Sequence, residues 1–235
     1  MSELVCWMAM PDARSRLISR LHSLLTPVEK ARADRFYFAS DRAAYVAAHG
    51  MLRMELGRRL GQAPEGVEIA YDALGKPRLV APDAPPLYFS ISHTRRCVAC
   101  AFSRYSVGVD IEHVDREVDL QVSKVLSEQE RRHLDSVAPQ HRKVAFFEIW
   151  TMKEAALKAF GTGLSTPLDS FTVCASTLSI RPEAGSALPL SRYWCTSLHH
   201  LGNGFVCCAA RISDKPPVPS IECSEWLHDD ARMLR

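Results

Sequence analysis

Two carboxylates stand two positions apart in an otherwise apolar segment, VGVDIE, at residues 107 to 112. The valines and the isoleucine take every second position, which is the period of a β-strand with one buried face, so Asp110 and Glu112 point together to the other face. Their Cα atoms would lie about 6.6 Å apart, close enough for both carboxylates to reach one hard cation. A strand whose polar face is simply hydrated is the simpler interpretation, and the pair alone does not exclude it.

A second group of charges interrupts the apolar face of a predicted helix over residues 145 to 163. At 100° per residue, Lys153 and Glu154 fall inside the arc of large apolar side chains, and such violations of the pattern tend to be functional or paired. Lys158 follows Glu154 by one turn, so the two can interact. An internal ion pair is one interpretation. A carboxylate partly withdrawn from water, which suits a general base, is the other.

Residues suited to anion binding lie in the first half of the sequence. They are Arg53, Gly75, Lys76, Pro77, Ser92 and His93. The Gly-Lys-Pro turn presents an ammonium group where a ligand can approach the backbone closely. Each residue also has a simpler interpretation: an ordinary turn, a hydrogen-bonded histidine at the end of the strand-like FSISHT, and a solvent-exposed arginine on a helix. Together with the carboxylates, they form a set for binding phosphates and a divalent ion.

Two helix starts share one capping pattern. Thr26 with Glu29, and Ser127 with Glu130, each have the spacing of a capping box, and the second copy begins 101 residues after the first. Each is followed by a longer helical segment that ends in glycine, residues 43 to 61 and 145 to 163, and then by strand-like material. This offset indicates an internal duplication.

The duplication predicts an α/β (α+β) fold in which two similar subdomains pack as a pseudo-dimer. We expect an N-terminal subdomain over residues 1–105, a C-terminal subdomain over 106–213 and a tail over 214–235. Pockets favour interfaces between domains, so the cleft between the halves is the expected ligand site. The segment VGVDIE opens the second half at that junction.

Composition narrows the class of protein. With 235 residues, 47% of them apolar, and a net charge of +2, the chain can bury a core but lacks the strongly basic character of a nucleic-acid-binding protein. It contains neither a signal-peptide pattern nor about 18 consecutive apolar residues, so we expect a cytoplasmic protein without membrane contact. The eight cysteines lie mostly in strand-like apolar runs, which favours buried thiols over zinc ligands.

The motifs GKP, FSISHT, VGVDIE and WTMKEAALK, followed by GLS and PLDSF, resemble in their order the 4′-phosphopantetheinyl transferases of the two-halved Sfp type. The resemblance runs from about residue 25 to about residue 210 and agrees with the pseudo-dimeric fold of that family. It implies transfer of the phosphopantetheine arm of coenzyme A to a serine of an apo acyl or peptidyl carrier protein, with release of adenosine 3′,5′-bisphosphate. Mg²⁺ is the implied metal, and Mn²⁺ would also suit oxygen ligands.

The resemblance also implies roles for individual residues. Asp110, Glu112 and Glu154 are the implied metal ligands, with Glu154 also the base toward the carrier serine. Lys158, which is also an implied catalytic residue, and His93 would contact the phosphates of coenzyme A, and Ser92 is a further implied contact of coenzyme A. The adenosine end would be bordered by Gly75, Lys76 and Pro77, and the 3′-phosphate would be reached by Arg53. One departure is that only Arg42 is basic between Phe36 and Ala44, where the family carries additional cations. By analogy, residues 113 to 126 receive the carrier, with Leu120, Val122, Val125 and Leu126 as apolar candidates that could equally be core.

Two other classes of function stay open. One is a non-catalytic module of the same fold that binds coenzyme A or carrier proteins. The other is a metal-dependent phosphohydrolase that uses the same acids. The sequence does not specify which carrier is modified, in nonribosomal peptide, polyketide or fatty acid synthesis. We expect a monomer because the two halves supply each other's interface.

Overall fold

The computed structural model describes residues 4–9, 14–81, 84–94, 97–118, 124–183, 185–189, 193–214 and 221–225, the first and last of these ranges in their backbone only. The helices in these ranges are α1 (Arg16–Ser23), α2 (Pro27–Ala33), α3 (Ala39–Leu60), α4 (Glu128–Ser136) and α5 (Pro139–Phe160). The strands are β1 (Leu4–Ala9), β2 (Ile69–Tyr71), β3 (Pro77–Leu79), β4 (Tyr88–Thr94), β5 (Cys97–Ser103), β6 (Ser106–His113), β7 (Phe171–Cys174), β8 (Ser179–Pro182), β9 (Tyr193–Leu201), β10 (Phe205–Ser213) and β11 (Ile221–Glu225).

Two principal sheets form the centre of the molecule. The first has the strand order β11-β1-β5-β4, and the second has the order β6-β10-β9. Strand β11 pairs in parallel with β1, so a segment from the predicted tail joins the sheet of the first half. The hairpins β2-β3 and β7-β8 lie outside these sheets. None of the helices in the described ranges combines the length and apolar character that a bilayer crossing requires.

The two sheets face each other across a core of small side chains. Ala99 and Ala101 of β5 meet Val107 and Val109 of β6 and Ala209 of β10. Alternation in β5 sends Val98, Cys100 and Phe102 to the opposite face, where they pack in the core that contains α1 and α3. Helix α5 covers the outer face of the second sheet in the same way. The result is four layers, helix, sheet, sheet and helix, which confirms the predicted mixed fold of two similar halves.

The internal duplication extends to a buried ion pair in each half. In the first half, the capping box of α2 is formed, and its Glu29 also receives Arg53 of α3 at 2.7 Å and 3.1 Å. In the second half, the capping box of α4 is formed, and its Glu130 receives Lys153 of α5 at 2.9 Å. The cation in each half therefore ties the long helix to the capped start of the short one.

These pairs correct one expectation from the sequence. Arg53 is 3% exposed rather than on the surface, and its guanidinium also donates to the carbonyls of Pro64 and Val67. Lys153 is 0% exposed and donates to two backbone carbonyls as well. The ion pair considered from the sequence joined Glu154 to Lys158 within α5. In the structure, Lys153 instead pairs with Glu130 of α4, and Lys158 pairs with Asp110.

Candidate active site

The site is built where helix α5 lies directly on strand β6. Gly108 makes this approach possible because a Cβ at that position would overlap the carbonyl oxygen of Ala155 and the amide nitrogen of Ala159. The alternation of β6 then aims Asp110 and Glu112 along the same face as Gly108. The last turns of α5 carry Lys158 and Glu154 to these carboxylates. The predicted sharing of one face by the two acids is confirmed by the strand and its partners.

Asp110 joins the two halves of the molecule. Its Oδ1 accepts hydrogen bonds from Ser92 Oγ of β4 at 2.9 Å and from Lys158 Nζ of α5 at 2.7 Å. Lys158 also donates to Ser92 Oγ at 3.1 Å, which closes a triangle of three polar groups. Asp110 is 6% exposed, and its second oxygen, Oδ2, is buried without a hydrogen-bond partner. Buried polar atoms are rarely left unpaired, so this oxygen is a candidate for contact with a ligand.

Glu112 and Glu154 complete a cluster of three acids. Burial raises the pKa of Glu112, and the charge of Asp110 raises it further, against the opposing effect of Arg116. Burial likewise raises the pKa of Glu154, with further increases from Asp110 and Glu112 and an opposing effect of Lys158. The three carboxylates thus repel one another in surroundings with little water, and a positive ion among them would relieve this repulsion.

The donor set fits a divalent cation in its chemistry. Carboxylate oxygens are the ligands that Mg²⁺ prefers, and the unpaired Asp110 Oδ2 supplies one without breaking an existing bond. Within the described ranges, no group of three or more His, Cys, Asp or Glu residues is arranged so that it could hold a metal ion. Two of the acids are held by side-chain cations instead, Asp110 by Lys158 and Glu112 by Arg116.

A cluster of basic residues lies beside the acids on the first half. His93, at the end of β4, is exposed at its surface. Partial desolvation lowers the pKa of His93, and the charges of His49, Lys158 and Arg32 lower it further. The charge of Lys158 therefore acts on His93, and the binding of one anion by both residues stays a prediction. Arg32 was not singled out in the sequence, because a basic residue on a short surface helix gives no periodic signal.

The Gly-Lys-Pro turn reaches the end of α5. Gly75 adopts φ 81°, which favours glycine, and Asp72 Oδ1 caps the turn by accepting from the amides of Leu74 and Lys76. Lys76 Nζ donates to the carbonyl of Ala159 at 3.3 Å, and burial lowers the pKa of its ammonium group. The turn of the first half thereby contacts the C-terminal end of α5 in the second half. Its contact with the adenosine end of coenzyme A stays a prediction.

Arg53 is not brought to this cluster. Its donors are directed to Glu29 and two carbonyls in the interior of the first half. A contact with a phosphate would require the guanidinium to leave that ion pair, so the predicted role of Arg53 at the 3′-phosphate stays a prediction without support from its position.

The segment expected to receive a carrier protein is described in part. Leu120 and Val122 lie outside the described residues, Leu126 is 2% exposed in the core of the second half, and Val125 packs against that core. Val125 and Leu126 are therefore part of, or packed against, the core of the second half. Arg116, which follows β6 and contacts Glu112, was not singled out in the sequence because it lies in an irregular segment without a periodic pattern.

Both halves of the chain resemble known proteins. Residues 106–210 match the model of the 4′-phosphopantetheinyl transferase superfamily, and residues 6–104 match a 4′-phosphopantetheinyl transferase N-terminal model. The chain is 32% identical to the 4′-phosphopantetheinyl transferase Sfp of Bacillus subtilis, over 66% of this chain and 68% of that protein. It is 34% identical to the 4′-phosphopantetheinyl transferase HetI of a Nostoc species, over 69% and 70% of the two chains. Among solved structures, the holo-[acyl-carrier-protein] synthase of Thermotoga maritima aligns with a TM-score of 0.37 and 22% identity over 47% of this chain and 64% of its own, a likeness that carries no argument.

Proposed function

Because the chain belongs to the 4′-phosphopantetheinyl transferases and is an enzyme of their Sfp type, we propose that it transfers the phosphopantetheine arm of coenzyme A to a serine of an apo acyl or peptidyl carrier protein, with a divalent cation at Asp110, Glu112 and Glu154. The observation that carries the proposal is that Asp110 accepts from Lys158 at Oδ1 while its Oδ2 is buried without a partner, and that its charge raises the pKa of both Glu112 and Glu154.

The transfer needs three contributions from the protein. Lys158 and His93 offer positive charge to the phosphates of coenzyme A, and Ser92 holds Lys158 in place by hydrogen bonding. Glu154 accepts the proton of the carrier serine, a role that suits a carboxylate withdrawn from water by burial. The serine oxygen forms a bond to the β-phosphorus while the bond from that phosphorus to the bridging oxygen breaks. Adenosine 3′,5′-bisphosphate leaves with that oxygen.

A divalent cation, Mg²⁺ or Mn²⁺, would be held by Asp110, Glu112 and Glu154 and would neutralise charge on the pyrophosphate. The role of these three acids as ligands is supported by their mutual repulsion and by their acid-rich surroundings. The cytoplasmic location and the monomeric state stay predictions.

The direct test is the intact mass of an apo carrier protein after incubation with the enzyme, coenzyme A and Mg²⁺, with an EDTA control. We expect the carrier to gain one phosphopantetheine only when the metal is available. No gain with acyl and peptidyl carriers of several classes, while coenzyme A still binds, would favour a non-catalytic module. Steady release of adenosine 3′,5′-bisphosphate without any carrier would favour a phosphohydrolase.

A further inference from the structure

Arg116 forms an ion pair with Glu112, one of the three acids of the cluster. Its Nη1 donates to Glu112 Oε1, and its guanidinium carbon lies 5.4 Å from the centre of the Trp150 ring and 5.9 Å from that of Phe147. The Glu112 side chain is 13% exposed, whereas that of Arg116 is 45% exposed. The arginine therefore covers a nearly buried carboxylate from the solvent side and rests on two aromatic rings of α5.

The charges of the cluster are nearly balanced without an added ion. Lys158 lies on Asp110 at 2.7 Å, and Arg116 lies on Glu112, so two side-chain cations face three carboxylates. A divalent cation that binds Glu112 meets the guanidinium at the same carboxylate. Lys158 is anchored on both sides, by Asp110 and Ser92, whereas Arg116 extends from the irregular segment after β6 and can move at lower cost.

We propose that Arg116 and a divalent cation compete for Glu112, so that a cation binds this carboxylate only when the guanidinium is displaced from it. The inference rests on the metal site of the proposed function and adds a positioning residue to it. Displacement of the guanidinium from Glu112 would also change its contact with the Trp150 ring.

Removal of the Arg116 charge has opposite effects on metal affinity in the two possible roles of this residue. If Arg116 competes with the metal, removing its charge leaves the acids more negative and the cation binds more tightly. If Arg116 instead orients Glu112 as a ligand, removing it weakens binding. The ion pair is partly exposed, so the expected change is moderate, about threefold to tenfold in Kd.

The experiment measures binding of Mn²⁺ alone to the full-length protein, by electron paramagnetic resonance of the unbound ion. We expect Arg116→Gln to bind Mn²⁺ about threefold to tenfold more tightly than the wild type. Arg116→Lys keeps the charge and should stay close to the wild type. Arg132→Gln is the matched control, because Arg132 forms an i,i+4 ion pair with Glu128 on an exposed face of α4, as Arg116 does with Glu112.

A second measurement follows Trp150 directly. Addition of Mg²⁺ should change the tryptophan fluorescence of the wild type, and the change should be lost in Arg116→Gln and in Trp150→Phe. Equal or weaker Mn²⁺ binding by Arg116→Gln, with the wild type binding normally, would overturn the inference alone. No Mn²⁺ binding by any of the variants would overturn the metal site of the proposed function and the inference with it.

Discussion

At the scale of single residues, Asp110 has two oxygens in different states. Oδ1 is fully engaged by Ser92 and Lys158, and Oδ2 is buried with no partner. The first oxygen ties strand β4 to helix α5 and has a structural effect. The second contributes nothing to the fold as it stands and costs the free energy of an unpaired buried acceptor. A residue retained at such a cost is a functional candidate.

Replacing Asp110 with Asn separates these two effects. The amide oxygen can still accept from Ser92, whereas the charge at Oδ2 is lost. We expect the initial rate of carrier modification, measured by intact mass, to fall about 100-fold or more, the scale found when one charge-stabilising group is removed. The far-ultraviolet circular dichroism should be unchanged. Asp135→Asn, at an exposed position on α4, is the control, and a folded Asp110→Asn enzyme with full activity would contradict the assignment.

At the scale of elements, the position of α5 on β6 decides the geometry of the site. The helix approaches the strand so closely that only a residue without a side chain fits at Gly108. The same helix holds Lys153 in the core and Glu154 in the acid cluster, although the two are adjacent in sequence. Helix α5 thus supplies Lys153 to a buried ion pair and Glu154 to the candidate active site.

Gly108→Ala tests this approach. The added methyl group would overlap backbone atoms of α5, which cannot give way as a flexible side chain can. We expect the free energy of unfolding in urea to fall by about 3 kcal/mol or more. Gly66→Ala is the matched control, since a Cβ there meets nothing within 4 Å. Equal stability of Gly108→Ala and the wild type would mean that α5 lies farther from β6 than described.

The buried ion pair of the first half makes the stability of the protein depend on pH. Burial alone would raise the pKa of Glu29, but its contacts with His49 and Arg53 outweigh burial and lower the pKa from 4.5 to about 2. A depressed pKa means that the folded state releases this proton more readily than the unfolded state does. The resulting stabilisation is complete above the unfolded value and is lost as pH falls from 4.5 toward 2.

Glu29→Gln removes this stabilisation. At pH 7, we expect the variant to be less stable than the wild type by on the order of 3 kcal/mol in urea unfolding. The difference should shrink as the pH is lowered through the range between the two pKa values. A difference that stays constant down to pH 2 would show that Glu29 acts through packing rather than through its charge.

At the scale of the whole molecule, the two halves share both a core and a site. The sheets meet through small side chains, including Ala99 and Ala209, with almost no exposed surface. Polar contacts cross the same boundary, from Ser92 to Asp110 and from Lys76 to the carbonyl of Ala159. Neither half can lose its structure without exposing the inner face of the other.

We therefore expect the halves to unfold together. Amide hydrogen exchange should show α3 and α5 losing protection at the same urea concentration. Ala99→Leu, which overfills the shared core, should lower the stability of both helices by about 1–3 kcal/mol. Loss of protection in α5 at a clearly lower urea concentration than in α3 would instead indicate two independent units.

Local patterns in the sequence determined much of this protein. The alternation around Asp110 and Glu112, the two capping boxes and the glycines that end the long helices all depend on neighbours close in the chain, so the strand, the helices and the internal duplication could be predicted. Helix periodicity also singled out Lys153 and Glu154, but it could not divide their roles, since both lie within one arc.

Only the tertiary structure decided which charges meet. The partners of Lys153 and Arg53 are glutamates 23 and 24 residues away, and Lys158 meets Ser92 across 66 residues. Such pairings depend on how sheets and helices stack, which no local period encodes. For the same reason, the sequence predicted an exposed Arg53. The contacts of Arg116 could not be predicted either, because its partners Trp150 and Glu112 lie on α5 and β6, whose packing brings them together.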